Sequence, residues 1–282
     1  MSKIIALVDG SVYSESVCDH AAWVAMRNNA TVEVLHVLGR REGAKSDLSG
    51  SIGLGARSKL MEELAELDAQ KAKLALKRGR AILEDAEARL RADGVAEVST
   101  RLRHGDLVEE LREAEADADL VIAGKRGEAA DFARLHLGSN LERAVRASTK
   151  PVLVTSRAFR PVGHFVIAFD GGASTLKAID HVSRSKVFAG LKCTLLMVGA
   201  DAKENRRPLE GAAAQLRGAG YEVIVDLRQG RPDTVITDVV TNGGVDMLLM
   251  GAFGHSRIRS LFIGSTTAEM LRDCHVPVLL FR

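Results

Sequence analysis

The sequence predicts an α/β protein made of two doubly wound domains, each with a five-stranded parallel sheet. Short runs rich in Val, Ile and Leu alternate with helical patterns along the chain, as in repeated βαβ units. The chain also contains a repeat: IIALVDGSVYSESVCDHAA matches HFVIAFDGGASTLKAIDHVS, which pairs Asp9 with Asp170, 161 residues later. Its 282 residues are long for one domain and sufficient for two.

The predicted strands follow in the same order in both copies. We expect them at about 3–8, 32–38, 96–103, 119–123 and 151–155 in the first copy, and at about 164–169, 192–198, 221–227, 245–250 and 277–281 in the second. Helices connect successive strands. Such sheets bind ligands beyond the carboxyl ends of their strands, where the strand order reverses. Asp9 and Asp170 both stand at the end of a predicted first strand.

The two copies differ in length because the first carries an insertion. The offset between matching residues falls from 161 at the first strands to 127 at the fourth strands, so the second copy is about 34 residues shorter. We therefore place the domains at 1–157 and 161–282, with a long insertion at about 40–93.

The insertion begins with the Gly- and Ser-rich stretch GAKSDLSGSIGLGARSK, which predicts a loop. A helical pattern follows, with Leu60, Leu64, Leu67 and Leu74 at helical spacing. A continuous helix here would be ~50 Å long and would exceed the domain, so we expect it to break near Gly79 or to project. We favour a lengthened, solvated crossover helix. The alternative is an arm that packs on another subunit.

Charge and cysteine usage exclude several classes of function. The 39 Lys and Arg residues nearly balance the 37 Asp and Glu residues, which leaves no broad basic field for nucleic acid. No window approaches the ~18 apolar residues of a membrane span, and no signal pattern is found. Cys18, Cys193 and Cys274 are odd in number and far apart, which is typical of reduced thiols. We expect a cytoplasmic protein.

The stretch MGAFGHSRIRSLFIGSTTAEML predicts an anion site in the second copy. Gly251 and Gly254 allow the backbone to turn sharply after Met250 and let a ligand approach closely. The run GSTT at 264–267 begins a helix whose free N–H groups and positive dipole end attract phosphate. The loop between them, HSRIRSLFI, carries two arginines and no acid. Because Asp170 can accept hydrogen bonds from a ribose hydroxyl, a nucleotide satisfies all of these features.

These residues resemble the universal stress protein family in its tandem form, with two family domains in one chain. The family's nucleotide motif, G-x2-G-x9-G-[ST], is met by Gly251, Gly254, Gly264 and Ser265. The resemblance spans both copies. It implies Rossmann-like, adenine nucleotide alpha hydrolase-like domains with strand order 3-2-1-4-5. It also implies an internal pseudo-dimer that pairs the last strands, PVLVT and PVLLF.

By the same resemblance, the ligand is ATP, ADP or AMP, with magnesium left open as a companion of the phosphates. The adenosine end would lie against Asp170, Val198, Met250 and Gly251, although Ala168 stands where many family members have proline. The phosphates would meet five residues of the turn and the helix start: Gly254, Gly264, Ser265, Thr266 and Thr267.

The first copy keeps this pattern with one change. Its matching residues are Asp9, Val37, Gly124, Gly127, Gly138 and Ser139. Ten residues instead of nine separate Gly127 from Gly138, and their loop, EAADFARLHL, carries two acids against one arginine, which suits a triphosphate less well. Lys125 and Arg126 in the turn partly offset these acids. Two interpretations of the first copy therefore remain: its glycines form a working nucleotide site, or they only preserve the turn needed for folding.

The motifs favour binding over catalysis. No GxxxxGK[ST], HExxH or GxSxG run occurs, and DGGAST departs from the SGGxDS loop of pyrophosphate-releasing ATP enzymes. We therefore name no catalytic residue and no metal ligand. The sequence predicts a stress-response protein that senses or regulates through a bound nucleotide and an unidentified protein partner, with homodimers of tandem chains as a further option. A slow ATP hydrolase, or a carrier or scaffold for a different small molecule, is the alternative.

Overall fold

The computed structural model describes residues 2–39, 54–127, 139–252 and 264–282. The described residues form ten strands: β1 (Lys3–Leu7), β2 (Thr31–Gly39), β3 (Val98–Gly105), β4 (Leu120–Gly124), β5 (Val152–Thr155), β6 (His164–Ala168), β7 (Lys192–Val198), β8 (Val223–Arg228), β9 (Met247–Gly251) and β10 (Val278–Phe281). They also form eight α-helices: α1 (Ser14–Asn28), α2 (Leu54–Ala92), α3 (Leu107–Ala114), α4 (Ser139–Ala147), α5 (Ala173–Arg184), α6 (Lys203–Gly218), α7 (Pro232–Asn242) and α8 (Ser265–Asp273). A short 3-10 helix, Glu115–Asp117, follows α3.

The strands confirm the predicted fold and strand order. They lie in the order β3-β2-β1-β4-β5-β10-β9-β6-β7-β8, so each half of the sheet reads 3-2-1-4-5. Pairing is parallel within each half. The halves meet where β5 and β10 pair antiparallel, with Leu153 opposite Leu279. This joint is the pseudo-dimer contact expected from the last strands.

A hydrophobic layer covers each face of the sheet. One layer receives the buried side chains of α1, α2, α5 and α6, and the other receives those of α3, α4, α7 and α8. Successive strand residues alternate between the layers, since Ile4 lies in the first and Ile5 in the second. Both layers contain residues from both halves, so the core continues across the β5–β10 joint.

Side chains on α1 also tie the two halves together. The ring of Trp23 packs edge-on against that of Phe188, with 6.4 Å between the ring centroids. Arg27 donates hydrogen bonds to the carbonyl oxygens of Val187 and Ala189. These contacts join the first half to the segment between α5 and β7.

The inserted helix α2 is one continuous helix of 39 residues, ~58 Å long at 1.5 Å per residue. The predicted alternative of a break near Gly79 is wrong. A Cβ atom at Gly79 would lie 2.8 Å from Cδ1 of Leu102 and 3.0 Å from Cδ2 of His36, so this glycine lets α2 cross β2 and β3 closely. Beyond Gly79 the helix buries Leu83 and Leu90. In the described part of the chain, no helix combines the length and apolar composition needed to span a bilayer.

Candidate functional site

The candidate site lies where the strand order reverses in each half of the sheet. In the second half this point falls between β6 and β9, which pair with Ala168 opposite Met250. Asp170 follows β6 and Gly251 ends β9, so both stand at the same carboxyl edge. In the first half, β1 and β4 bring Asp9 and Gly124 together in the same way. Parallel sheets place their ligands at such points.

Asp170 is fixed by local hydrogen bonds and faces solvent. Its Oδ1 accepts a hydrogen bond from the backbone N–H of Gly172 at 2.8 Å and another from the hydroxyl of Thr175 at 2.7 Å. Gly171 between them has a φ of 74°, a left-handed conformation that favours glycine. Thr175 is buried in the first turn of α5, whereas Asp170 is exposed. The carboxylate is therefore held in place at an exposed edge of the sheet.

The start of α8 is tied to the end of β9. The backbone N–H of Gly264 donates to the carbonyl oxygen of Ala252 at 3.3 Å, and the hydroxyl of Thr267 donates to that of Gly251 at 3.0 Å. Thr267 is buried, so its side chain fixes the turn rather than extending toward solvent. Sequence reasoning assigned Thr267 to the phosphates, and this bond leaves its backbone N–H for that role.

The N-terminus of α8 has no side-chain cap. Gly264 is the N-cap residue and has no side chain of its own, and no side-chain hydrogen bond caps the helix within the described residues. The first intrahelical bond runs from the N–H of Ala268 to the carbonyl of Gly264, at 2.8 Å. The N–H groups of Ser265, Thr266 and Thr267 therefore precede the helical ladder and can receive an anion. Ser265 is exposed, so its hydroxyl is accessible too.

Apolar side chains line the sheet edge beside Asp170. Met250 is buried, and half-buried Ala168 and Val198 pack on the same hydrophobic layer. These residues lie near the carboxyl ends of three neighbouring strands, β9, β6 and β7. Val37 occupies the corresponding place in the first half and is also half-buried against this layer. Such a surface suits one face of a flat aromatic ring.

In the first half, the glycine turn lies directly on its neighbours. A Cβ atom at Gly127 would lie 2.8 Å from Oδ2 of Asp9, and one at Gly124 would lie 2.7 Å from Cβ of Tyr13. Both glycines are therefore needed for close packing of the turn, independently of any ligand. Asp9 is half-buried there and accepts hydrogen bonds from the N–H of Ser11 at 3.0 Å and the hydroxyl of Ser14 at 3.4 Å.

Sequence reasoning missed Tyr13 at the first switch point. The repeat places Tyr13 opposite Ser174, since the two lie 161 residues apart. This exchange of a large ring for a small side chain was visible in the repeat and marks a difference between the halves.

Parts of the predicted sites lie outside the described residues. Gly254 and Gly138 belong to these parts, as do the basic loop HSRIRSLFI and the whole of its counterpart in the first half, EAADFARLHL. Ser139 is the first residue of α4, as Ser265 is of α8. The structure therefore describes Gly124, Gly127 and Ser139 of the first motif, and Gly251, Gly264 and Ser265 of the second.

The C-terminal end of each motif helix is held by a cation from the opposite half. Nζ of Lys125 donates to the carbonyl oxygen of Cys274, the C-cap of α8, at 2.9 Å. Nη1 of Arg282 donates to the carbonyl oxygens of Arg146 at 3.0 Å and Ser148 at 3.3 Å, at the end of α4. Burial lowers the pKa of Lys125 to about 8. The sequence suggested that Lys125 serves the phosphate turn of its own half, but its ammonium group contacts the other half.

Known proteins match this chain over both repeats. The model of the universal stress protein family matches residues 1–156 and 181–282. The chain belongs to the universal stress protein family. It is 38% identical over 290 aligned residues to the universal stress protein Slr1230 of Synechocystis, and the match covers 100% of both chains. The family resemblance is thus confirmed in its tandem form.

Solved structures that match nearly the whole chain share its fold at low sequence identity. A universal stress protein from Archaeoglobus fulgidus superposes with a TM-score of 0.73 at 19% identity, covering 99% of this chain and 96% of its own. The protein PA1789 from Pseudomonas aeruginosa superposes with a TM-score of 0.63 at 16% identity, covering 100% of this chain and 92% of its own. These likenesses show the tandem α/β fold of the family.

Proposed function

We propose that this chain binds an adenine nucleotide in its second half and acts as a sensor or regulator in the stress response. One observation carries the proposal: the N-terminus of α8, which no described side chain caps, stands at the switch point that also holds the fixed, exposed carboxylate of Asp170. Amide donors suit phosphates, and a carboxylate suits ribose hydroxyl groups. ATP, ADP and AMP carry both groups in one molecule.

The residues of the second half would divide the ligand between them. Phosphate oxygens would accept hydrogen bonds from the backbone N–H groups of Ser265, Thr266 and Thr267 and from the hydroxyl of Ser265. Because Gly254 and Gly264 have no side chains, the backbone could approach the phosphates closely. Asp170 would accept hydrogen bonds from the ribose. Val198 and the turn at Met250 and Gly251 would lie against adenine. Magnesium would neutralise the phosphates as their counter-ion.

We propose the second half as the principal site because the first half is more closed. The turn at Gly124 and Gly127 packs on Tyr13 and Asp9, and its loop carries one extra residue and two acids. The first half would then hold a weaker nucleotide site, or its motif would only stabilise the fold of the turn. The residues concerned are Asp9, Val37, Gly138 and Ser139.

A regulatory role follows from the absence of catalytic motifs in the sequence. The bound nucleotide would favour one arrangement of the basic loop and present a different surface to a protein partner, which requires unequal affinity for the two arrangements. We also propose a cytoplasmic location, which the three buried, unpaired thiols support. Homodimers of tandem chains are part of the proposal.

The first experiment identifies the ligand directly. The purified full chain is denatured, and the released small molecules are separated and identified by mass spectrometry. We expect an adenine nucleotide at a ratio near one per chain. A different small molecule would support the carrier function instead. Incubation with ATP and magnesium tests the hydrolase alternative, since steady release of ADP would contradict a purely regulatory role.

A further inference from the structure

The first part of α2 is less buried than the second part. We call residues 60–78 the α2 arm. None of these described residues is buried, whereas burial begins at Gly79. Leu67 is 50% exposed and Leu74 is 67% exposed.

Four leucines of the arm form a stripe with coiled-coil spacing, of which Leu60 and Leu64 are half-buried and Leu67 and Leu74 are exposed. The stripe has the alternating spacing of four and three residues that is typical of a coiled coil. Its positions are Leu60, Leu64, Leu67, Lys71 and Leu74. This stripe does not continue the buried face of the same helix. On an ideal helix it is rotated by roughly 100° from the series of Gly79, Leu83, Ala86 and Leu90 that packs on the sheet. The stripe is therefore a second apolar face of α2, distinct from the face that packs on the sheet.

Charges along the arm separate into two blocks. The first half carries Glu62, Glu63, Glu66 and Asp68, and the second half carries Lys71, Lys73 and Lys77. A parallel copy would bring like charges together, whereas an antiparallel copy brings the acidic block against the basic block. Antiparallel pairing of identical helices is also a closed, two-fold arrangement.

One antiparallel register satisfies both the leucines and the charges. When Leu64 packs against Leu74 of a second copy in the apolar seam, Glu63 and Lys77 of that copy flank this pair on the same side of the seam, and the two-fold symmetry repeats both contacts. Leu67 then lies beside Lys71, whose aliphatic stem can cover it while the ammonium group reaches the acids. The sequence of the arm is thus complementary to itself.

We infer that the α2 arm is a homodimerisation element that pairs antiparallel with the α2 arm of a second chain. The interface is a leucine stripe flanked by pairs of Glu63 and Lys77. It uses a different surface from the β5–β10 joint, which pairs the two halves within one chain. This inference does not depend on nucleotide binding.

Sedimentation velocity of the full chain tests the oligomeric state. The monomer mass is 30.3 kDa, and we expect a dimer of twice that mass to accumulate between about 1 and 200 µM, the range in which small interfaces dissociate. The variant Leu67→Glu should sediment as a monomer throughout. Leu176→Glu is the matched control, because Leu176 is also 50% exposed on a helix, and it should dimerise like the wild type.

Charge reversal tests the pairing itself. Glu63→Lys and Lys77→Glu should each weaken the dimer at least tenfold, and the double variant should restore it at low salt. Three results would overturn the inference: a wild-type chain that stays monomeric at 200 µM, a dimer that survives Leu67→Glu, or a double variant no stronger than the single ones. A fourth contradicting result is a melting temperature lower for Leu67→Glu than for the wild type at a concentration where both are monomers, because another segment of the same chain would then cover the stripe.

Discussion

At the residue scale, the two halves hold the same aspartate in different surroundings. Asp170 is exposed and is anchored by Gly172 and Thr175. Asp9 is half-buried and lies against the backbone of Gly127. In the sequence repeat, Asp9 and Asp170 occupy equivalent positions, so the sequence alone did not distinguish them. Their accessible area, which decides whether a ribose can reach them, differs because the first turn packs on Asp9 and Tyr13.

We expect Asp170→Asn to weaken ATP binding about tenfold, which corresponds to ~1.4 kcal/mol. Asparagine retains an oxygen for the N–H of Gly172 and the hydroxyl of Thr175, so the turn persists, but its neutral amide accepts weaker hydrogen bonds from a ribose. Isothermal titration calorimetry of the full chain measures the effect. Asp9→Asn is the control and should change affinity less than twofold. An equal loss in both variants would contradict our choice of the second half.

At the element scale, each helix of the glycine motifs is held at both ends. α8 begins beside the candidate site and ends at the carbonyl of Cys274, which accepts a hydrogen bond from Lys125 of the first half. α4 ends at carbonyls bound by Arg282 of the second half. A cation at a helix C-terminus is favourable, so each half contributes to the position of the other's motif helix.

We expect Lys125→Met to become more destabilising, relative to the wild type, as the pH rises from 8 to 10. The pKa of Lys125 is about 8 in the folded chain because of burial, below its ordinary value of 10.5. The unfolded chain therefore binds more protons in this interval, and Lys125 adds stability as the pH rises. Urea unfolding at several pH values measures the difference. Lys186→Met, at an exposed lysine, should show no such trend.

Two glycines inside helices should respond oppositely to alanine. At Gly211 in α6 nothing lies within 4 Å of an added Cβ, so Gly211→Ala should stabilise the chain by about 0.5–1 kcal/mol. At Gly79 the added Cβ would lie 2.8 Å from Leu102, so Gly79→Ala should lose that gain or destabilise the chain. Thermal or urea unfolding compares them. Equal stabilisation by both substitutions would contradict the close crossing of α2 over β2 and β3.

The elements could be predicted from sequence because their signals are local. Apolar runs and the repeat predicted all ten strands, whereas their order in the sheet and the joint between the last strands were expected from the family resemblance. The roles of Tyr13, Gly79 and Lys125 could not be predicted in this way. Their partners, Gly124, Leu102 and Cys274, are far away along the chain and become neighbours only through packing. The sequence also predicted that Asp170 and the glycine turn before α8 lie at the same edge of the sheet, because each follows directly after a strand.

At the scale of the whole molecule, the two halves share one sheet and two continuous hydrophobic layers. β5 and β10 are buried and pair across the joint, and α1 contacts the second half through Trp23 and Arg27. A tandem chain of this kind keeps its two candidate sites in a fixed relation. Nucleotide binding in one half should therefore stabilise the entire chain.

We expect the halves to unfold in one cooperative transition. The chain has a single tryptophan, Trp23 in the first half, so its fluorescence and far-UV circular dichroism should give the same urea midpoint. Leu153→Ala at the joint should shift both signals together and cost about 2–5 kcal/mol. Two separated transitions would contradict a shared core.

The central claim is that the start of α8, which no side chain in the described part of the chain caps, binds the phosphates of an adenine nucleotide. The substitution Ser265→Asp tests it most directly. A negative charge in the first turn stabilises the helix by about 0.3–1 kcal/mol through the helix dipole, but it repels phosphate. Ser139→Asp makes the matched change at the start of α4. In calorimetric titration with ATP and magnesium, we predict wild-type affinity in Ser139→Asp, and loss of binding in Ser265→Asp with an unchanged or raised melting temperature. Wild-type affinity in Ser265→Asp would contradict the claim.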